Sequence, residues 1–341
     1  MEIINKTFSG KIETLFNEAF YLINSKHLDK NEENYLQRLE TDPNYIDSMH
    51  FQAKDKSDYR QALQLFDQIF QIEPQHLLST LMYGIVKFHQ WDTDAINDFN
   101  KAIEIAPQYL ESYFHRALAK SLLLADYQGA IEDYTKIIEM DPDNVDAYHM
   151  RASTKTDLND FPGSLEDYTK ALEIMPDDST YTNRGYVKMK MQDIQGCFED
   201  LNKAIELNPL SAMSFYSRGN IKEELEDYAG AEIDLSKAIE LSPEKIFYIK
   251  RGKIREKQSK LQHAIDDLTE ALKIDPKDDF LYEERGDIKE KVGDYLGAIE
   301  DYTKVLELFS LNDEVVSKRA AIKEKLNDFE GAIQDINNYF R

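Results

Sequence analysis

The chain has 341 residues, with 65 Asp plus Glu against 41 Lys plus Arg, a net charge of -24, one cysteine and 42% hydrophobic residues. No stretch nears the ~20 consecutive apolar residues of a membrane helix, residues 1–20 (MEIINKTFSGKIETLFNEAF) lack the basic start and apolar run of a signal peptide, and the acidity opposes the Lys and Arg contacts to phosphate on which nucleic-acid binding rests. These features predict a cytoplasmic protein, folded without disulfides, with no nucleic-acid or membrane partner.

Along the chain, eight of the nine prolines fall on a ruler. Pro43, Pro74, Pro107, Pro142, Pro176, Pro209, Pro243 and Pro276 are separated by 31 to 35 residues, and only Pro162 stands off it. Aligned on them, YTNRGYVKMKMQDIQGCFEDLNKAIELNP, FYSRGNIKEELEDYAGAEIDLSKAIELSP and LYEERGDIKEKVGDYLGAIEDYTKVLELFS read as one sequence written several times. Each copy holds two helical stretches split by an Asp-aromatic turn. A carboxylate just before the second helix (Asp58, Asp126, Asp160, Asp193, Asp227, Asp294, Asp328) is suited to accept from free backbone N–H groups, and proline ends that helix.

This period of about 34 residues resembles the tetratricopeptide repeat. Laid on that pattern, repeats fall near 12–45, 46–76, 77–109, 110–144, 145–177, 178–211, 212–244, 245–278, 279–312 and 313–341. Residues 1–109 carry degenerate repeats and 110–341 regular ones, continuous with the former. The resemblance implies an all-α fold, a right-handed solenoid or superhelix of about ten helix-turn-helix pairs in which each pair buries its apolar face on its neighbours. Numbering phases so that proline stands at 32, the family places small residues at phases 8 and 20, where helices cross. The chain supplies Ala19, Gly84, Ala117, Ala152, Gly185, Gly219, Gly252, Gly286 and Ala320 at phase 8, and Ala, Ser or Cys at phase 20 from Ala62 to Ala332; Asn31 and His50 depart.

Little in the sequence points to chemistry. Cys197 occupies phase 20 and reads as a small buried hydrophobe. The seven histidines form no zinc spacing, and no phosphate-binding glycine motif occurs, so neither metal nor cofactor is expected. Asn5-Lys6-Thr7 reads as a chance match to a glycosylation acceptor. Trp91, beside His89, reads as the turn aromatic supplied elsewhere by Tyr or Phe.

Charge also recurs with the period. Phase 7 runs Arg116, Arg151, Arg184, Arg218, Arg251, Arg285, Arg319; phase 11, one turn later, is Lys or Arg; phase 23 is Asp from Asp98 to Asp335. The rows suggest a ladder of Arg–Asp pairs fixing repeat register, or alternatively an anion-binding stripe.

In the tetratricopeptide family, first helices line the groove that holds extended peptides or partner helices, with contacts near phases 2, 5, 6, 9, 12 and 13. Carried over, the resemblance implies a protein or peptide partner at Phe114, Leu118, His149, Asn183, Tyr186, Tyr216, Asn220, Lys250 and Lys253. The reading is a non-enzymatic scaffold or adaptor. Its alternatives are a co-chaperone that clamps a C-terminal carboxylate, for which Tyr216 at phase 5 and Lys250 at phase 6 fit poorly, and an enzyme or effector site hidden in residues 1–109. Ile333, Ile336, Tyr339 and Phe340 on the last helix lack a capping helix, which suggests self-association there or a longer natural C-terminus.

Overall fold

A computed structural model describes Ala19 and residues 56–309 and 312–339. Repeat 12–45 apart from Ala19, the side chains of Asp58, Tyr339 and Phe340, and the acceptor motif at residues 5–7 lie outside the described residues. Within them the chain is all-α, with seventeen helices and no strand. Contacts group the helices into two compact units that divide at Pro176. The break in repeat regularity at 109/110 lies inside the first unit.

The first unit holds α1 (Lys56–Ile72), α2 (Leu77–His89), α3 (Ala95–Ile105), α4 (Leu110–Leu124), α5 (Tyr127–Met140), α6 (Val145–Asp157) and α7 (Phe161–Ile174). The second holds α8 (Asp178–Lys190), α9 (Ile194–Leu207), α10 (Ala212–Glu224), α11 (Tyr228–Leu241), α12 (Lys245–Lys257), α13 (Leu261–Ile274), α14 (Asp279–Lys291), α15 (Tyr295–Leu308), α16 (Asp313–Lys325) and α17 (Phe329–Tyr339). Within each unit successive helices pack on one another in chain order, which is the solenoid arrangement. Ala19 is helical and fully buried, in one cluster with Phe66, Ile69, Leu81, Ile85 and Phe99.

Each pair forms for local reasons. Asp126, Asp160, Asp193, Asp227, Asp294 and Asp328 accept from the N–H of the glycine three residues on, at 2.9–3.1 Å, capping the second helix. A Cβ on those glycines would stand only 2.1–2.3 Å from the cap's Oδ2, so the cap and a bare Cα come together. The residue before the cap takes a left-handed conformation in Ala125, Asn159, Gln192, Glu226, Asn327 and Gly293. Trp91 is another left-handed turn residue, with φ of 60° and its side chain 74% exposed. This corrects its reading as the turn aromatic. The Tyr or Phe of the other turns (Tyr127, Phe161, Tyr228, Tyr295) opens the second helix beyond the cap, two residues past the left-handed one.

Small residues let the two helices of a pair approach. A Cβ on Gly286 would meet the Tyr302 ring at 2.8 Å and one on Gly84 the Phe99 ring at 2.7 Å, both rings being fully buried. Cys197 fills the equivalent place on α9 and is fully buried.

The charged rows close into a repeated cluster. In every repeat from Arg116 to Arg319 the guanidinium forks the phase-23 Asp, with Nη2 donating to Oδ1 at 2.5–2.7 Å. The phase-11 Lys or Arg takes the other carboxylate oxygen at 2.8–2.9 Å. These Asp side chains are buried. The third guanidinium nitrogen reaches back to the preceding repeat's second helix: Arg116 to Asn100, Arg151 to Thr135, Arg218 to Asn202, Arg251 to Ser236, Arg285 to Thr269 and Arg319 to Thr303. The Arg–Asp fork therefore lies within a repeat, and the third nitrogen stitches one repeat to the next. With Arg and Lys both spent on buried Asp, the rows are not a free anion-binding stripe.

Candidate functional site

The second unit contains a cavity of about 330 Å³ built on the first helices of three successive repeats, α8, α10 and α12. Thr182, Asn183 and Tyr186 come from α8, Ser217, Asn220, Ile221 and Glu224 from α10, and Lys250 from α12. Leu201 of α9 rises between them, and with Ile221 it gives the cavity a buried apolar floor. The volume lies at the small end of ligand pockets, suited to one side chain or a short stretch of peptide.

Helix geometry sets this convergence. Residues 183 and 186, and 217, 220, 221 and 224, are spaced by three or four and so share one helix face. Beside these faces Arg184 and Arg218 are held by Asp200 and Asp234. The ion-pair clusters thus fix the rotation of α8 and α10 and leave the intervening polar residues toward the cavity.

The polar groups differ in how well they are matched. Thr182 donates to the Asp178 carbonyl at 2.8 Å and lies 3.1 Å from the Ser214 hydroxyl. Lys250 pairs with Glu223 at 2.5 Å, and Lys257 takes the other Glu223 oxygen at 2.8 Å. Burial raises the Glu223 pKa, but the two lysines outweigh it and hold the carboxyl below its ordinary value. Tyr186 is 45% exposed, with Lys190 5.1 Å from its ring centre. The Oδ1 atom of Asn220 is buried and has no hydrogen-bond partner.

Of the nine residues proposed from sequence, the cavity gathers Asn183, Tyr186, Asn220 and Lys250. Tyr216 turns against Phe247, ring centres 5.0 Å apart, and Lys253 pairs with Glu284 at 2.9 Å. Phe114, Leu118 and His149 belong to the first unit. There Phe114 packs edge-on to Tyr134 and His149 edge-on to Tyr168. Thr182, Leu201, Ser217, Ile221 and Glu224 were not singled out. Leu201 escapes a rule that draws the groove from first helices alone.

Burial and Asp200 together push the Cys197 thiol up to about 11, which leaves it protonated and unreactive at neutral pH. His115, in the first unit, is stacked on Phe99; burial first, and the charge of His89 second, push it down to about 4. Among the described residues no group of three or more His, Cys, Asp or Glu is placed to hold a metal, and no helix is long and apolar enough to cross a membrane.

The tetratricopeptide repeat family model matches residues 110–144, 179–209, 214–245 and 247–278. A tetratricopeptide repeat protein from Parabacteroides merdae superposes with a TM-score of 0.57 at 18% identity, over 75% of this chain and 98% of that one. The chain is a tetratricopeptide repeat protein. Yeast Tom70 shares the fold with a TM-score of 0.61 at 18% identity, over 98% of this chain and 72% of that one. The APC/C hetero-tetramer Cut9–Hcn1 gives 0.51 at 16% identity, over 89% of this chain and 62% of that one. At these identities the likeness is one of fold. No curated protein matches the sequence. Every residue that lines the cavity falls within a matched segment.

Proposed function

We propose that this tetratricopeptide repeat protein is a non-enzymatic scaffold or adaptor that holds an extended segment of a partner protein along the first helices of its second unit. The cavity between α8, α10 and α12 carries the reading. Its combination of Asn side chains, an exposed tyrosine and an apolar floor is the mixture found in protein-binding surfaces, where Tyr gives area at low entropy cost. In this reading Asn183 and Asn220 hydrogen-bond a peptide backbone, and Tyr186 covers a side chain. Phe114, Leu118, His149, Tyr216 and Lys253 are proposed to contribute where a longer segment passes.

Lys250 favours this reading over a carboxylate clamp, because its ammonium is already held by Glu223. Self-association is supported only by the exposure of Phe329, Ile333 and Ile336 on α17. The test is affinity capture from native lysate, followed by mass spectrometry, with wild-type protein and with Asn183, Tyr186, Tyr216 and Asn220 all replaced by Ala. Proteins lost from the variant are the groove partners. Identical lists from two equally folded proteins contradict the assignment.

A further inference from the structure

A second set of ion pairs runs through the later repeats of the second unit. Glu223, Glu256 and Glu290, all at phase 12, take Lys257, Lys291 and Lys325, at phase 13 of the following repeat, at 2.8, 2.6 and 2.6 Å. Two further groove lysines are similarly held: Lys253 on Glu284, and Lys318 on Glu283 and Asp287. The row breaks at one place. Phase 13 of α10 is Glu224 where later repeats have lysine, and phase 12 of the preceding repeat is Met189 rather than Glu. Glu224 makes no ion pair among the described residues, and its side chain lines the cavity.

A second, independent irregularity lies beside it. Asn220, one helical turn earlier, buries its Oδ1 with no donor. A desolvated acceptor without a partner is costly, and a charged donor recovers more than a neutral one. Two acceptors in the cavity, Asn220 Oδ1 and the Glu224 carboxylate, thus lack a partner, whereas its lining cation, Lys250, is already neutralised. Glu224 also ends α10, where the carbonyl terminus of the helix favours a positive charge. Lys190, which does not line the cavity, is exposed and sits against the Tyr186 ring. Leu201 and Ile221 form an apolar floor along which methylene groups can lie while the charged head stays at the polar rim.

We infer that the cavity receives a Lys or Arg side chain from the partner segment, its stem over Leu201 and Ile221 and its cationic head on Glu224 and on Asn220 Oδ1, which a turn of the amide brings to the ligand. The inference rests on the peptide-groove reading and adds the chemistry that is selected. The required charge is the reverse of that taken by a carboxylate clamp.

The test uses the full chain and fluorescein-labelled, end-blocked pentapeptide pools whose central residue is Lys, Arg, Gln, norleucine or Glu, the other four positions being randomised. Binding is followed by fluorescence anisotropy. The Lys and Arg pools should bind at least about tenfold more tightly than the Gln and norleucine pools, the difference expected of one charge-assisted hydrogen bond. Glu224→Gln should abolish that preference without changing the helical circular dichroism, and Asn220→Leu should reduce it. Glu256→Gln, which removes one lysine's partner elsewhere in the row, should leave the preference intact. Equal binding of norleucine and Lys pools, preference for the Glu pool, or an unchanged preference in Glu224→Gln would each overturn the cation slot while leaving peptide binding standing. No binding by any pool would overturn the peptide-groove reading together with it.

Discussion

Arg218 forks Asp234 through Nε at 2.9 Å and Nη2 at 2.7 Å, and with Nη1 it reaches Asn202 of the preceding repeat at 2.7 Å. One side chain thus ties the two helices of a repeat together and ties that repeat to its neighbour. Such clusters contribute little net stability, because desolvating the charges offsets their attraction, but removing one partner leaves the other buried and uncompensated.

Arg218→Met is therefore expected to destabilise the second unit by roughly 3 kcal/mol, part of the charge on Asp234 remaining matched by Lys222 at 2.8 Å. Thermal melting and small-angle scattering check this. Unchanged melting with unchanged solution shape would remove the register role assigned to the cluster.

The close approach of first and second helices predicts opposite outcomes for two glycines. Gly286→Ala drives a Cβ to 2.8 Å from the buried Tyr302 ring and should cost about 1–3 kcal/mol as overpacking. Gly252→Ala meets no atom closer than 3.4 Å and should be neutral or stabilising by up to about 1 kcal/mol through helix propensity. Urea unfolding of both variants separates them.

His115 makes the first unit sensitive to acid. Its pKa is depressed to about 4 in the fold against about 6.5 when unfolded, so the unfolded chain binds the extra proton between those values. Its stabilising contribution is complete above pH 6.5 and is lost as pH falls toward 4, by about 3 kcal/mol in all. His115→Leu should flatten that part of the stability curve relative to wild type in parallel unfolding titrations at pH 7, 5.5 and 4.5. Curves that fall in parallel would contradict the assignment.

Cys197 should resist a thiol reagent such as 5,5′-dithiobis(2-nitrobenzoic acid) in the native protein and react fully in denaturant, as its burial and its pKa of about 11 require. Rapid native labelling would show that the thiol is reachable. Cys197→Ala, matching the alanine of the other repeats, should leave stability within about 1.5 kcal/mol of wild type.

The repeat was legible because it is written in residues with fixed mechanical jobs: proline to stop a helix, Asp to cap one, Gly or Ala to let two cross. The rows of Arg and Asp were legible for the same reason. Their phase-11 Lys was visible as a charge but not as a third member of the cluster, since which carboxylate oxygen it takes depends on packing. Trp91 was misread because an aromatic near a turn has the same composition at either of two adjoining places, and only the left-handed backbone separates them. The cavity was legible in part, where Asn183, Tyr186 and Asn220 interrupt a charged stripe. Glu224 was not, because one more Glu in a chain with 65 acids becomes distinctive only when its counterparts Lys257, Lys291 and Lys325 are seen paired and it is not.

The central claim is that partners enter the groove of the second unit. The most direct measurement places a photo-crosslinking amino acid, p-benzoylphenylalanine, at Tyr186 or at Ile233, a 69% exposed position on the second helix α11, and irradiates each protein in native lysate. The account predicts discrete protein adducts from position 186, competed away by unlabelled wild-type chain and absent from position 233. The same adducts from both positions, or adducts from 233 alone, would contradict it.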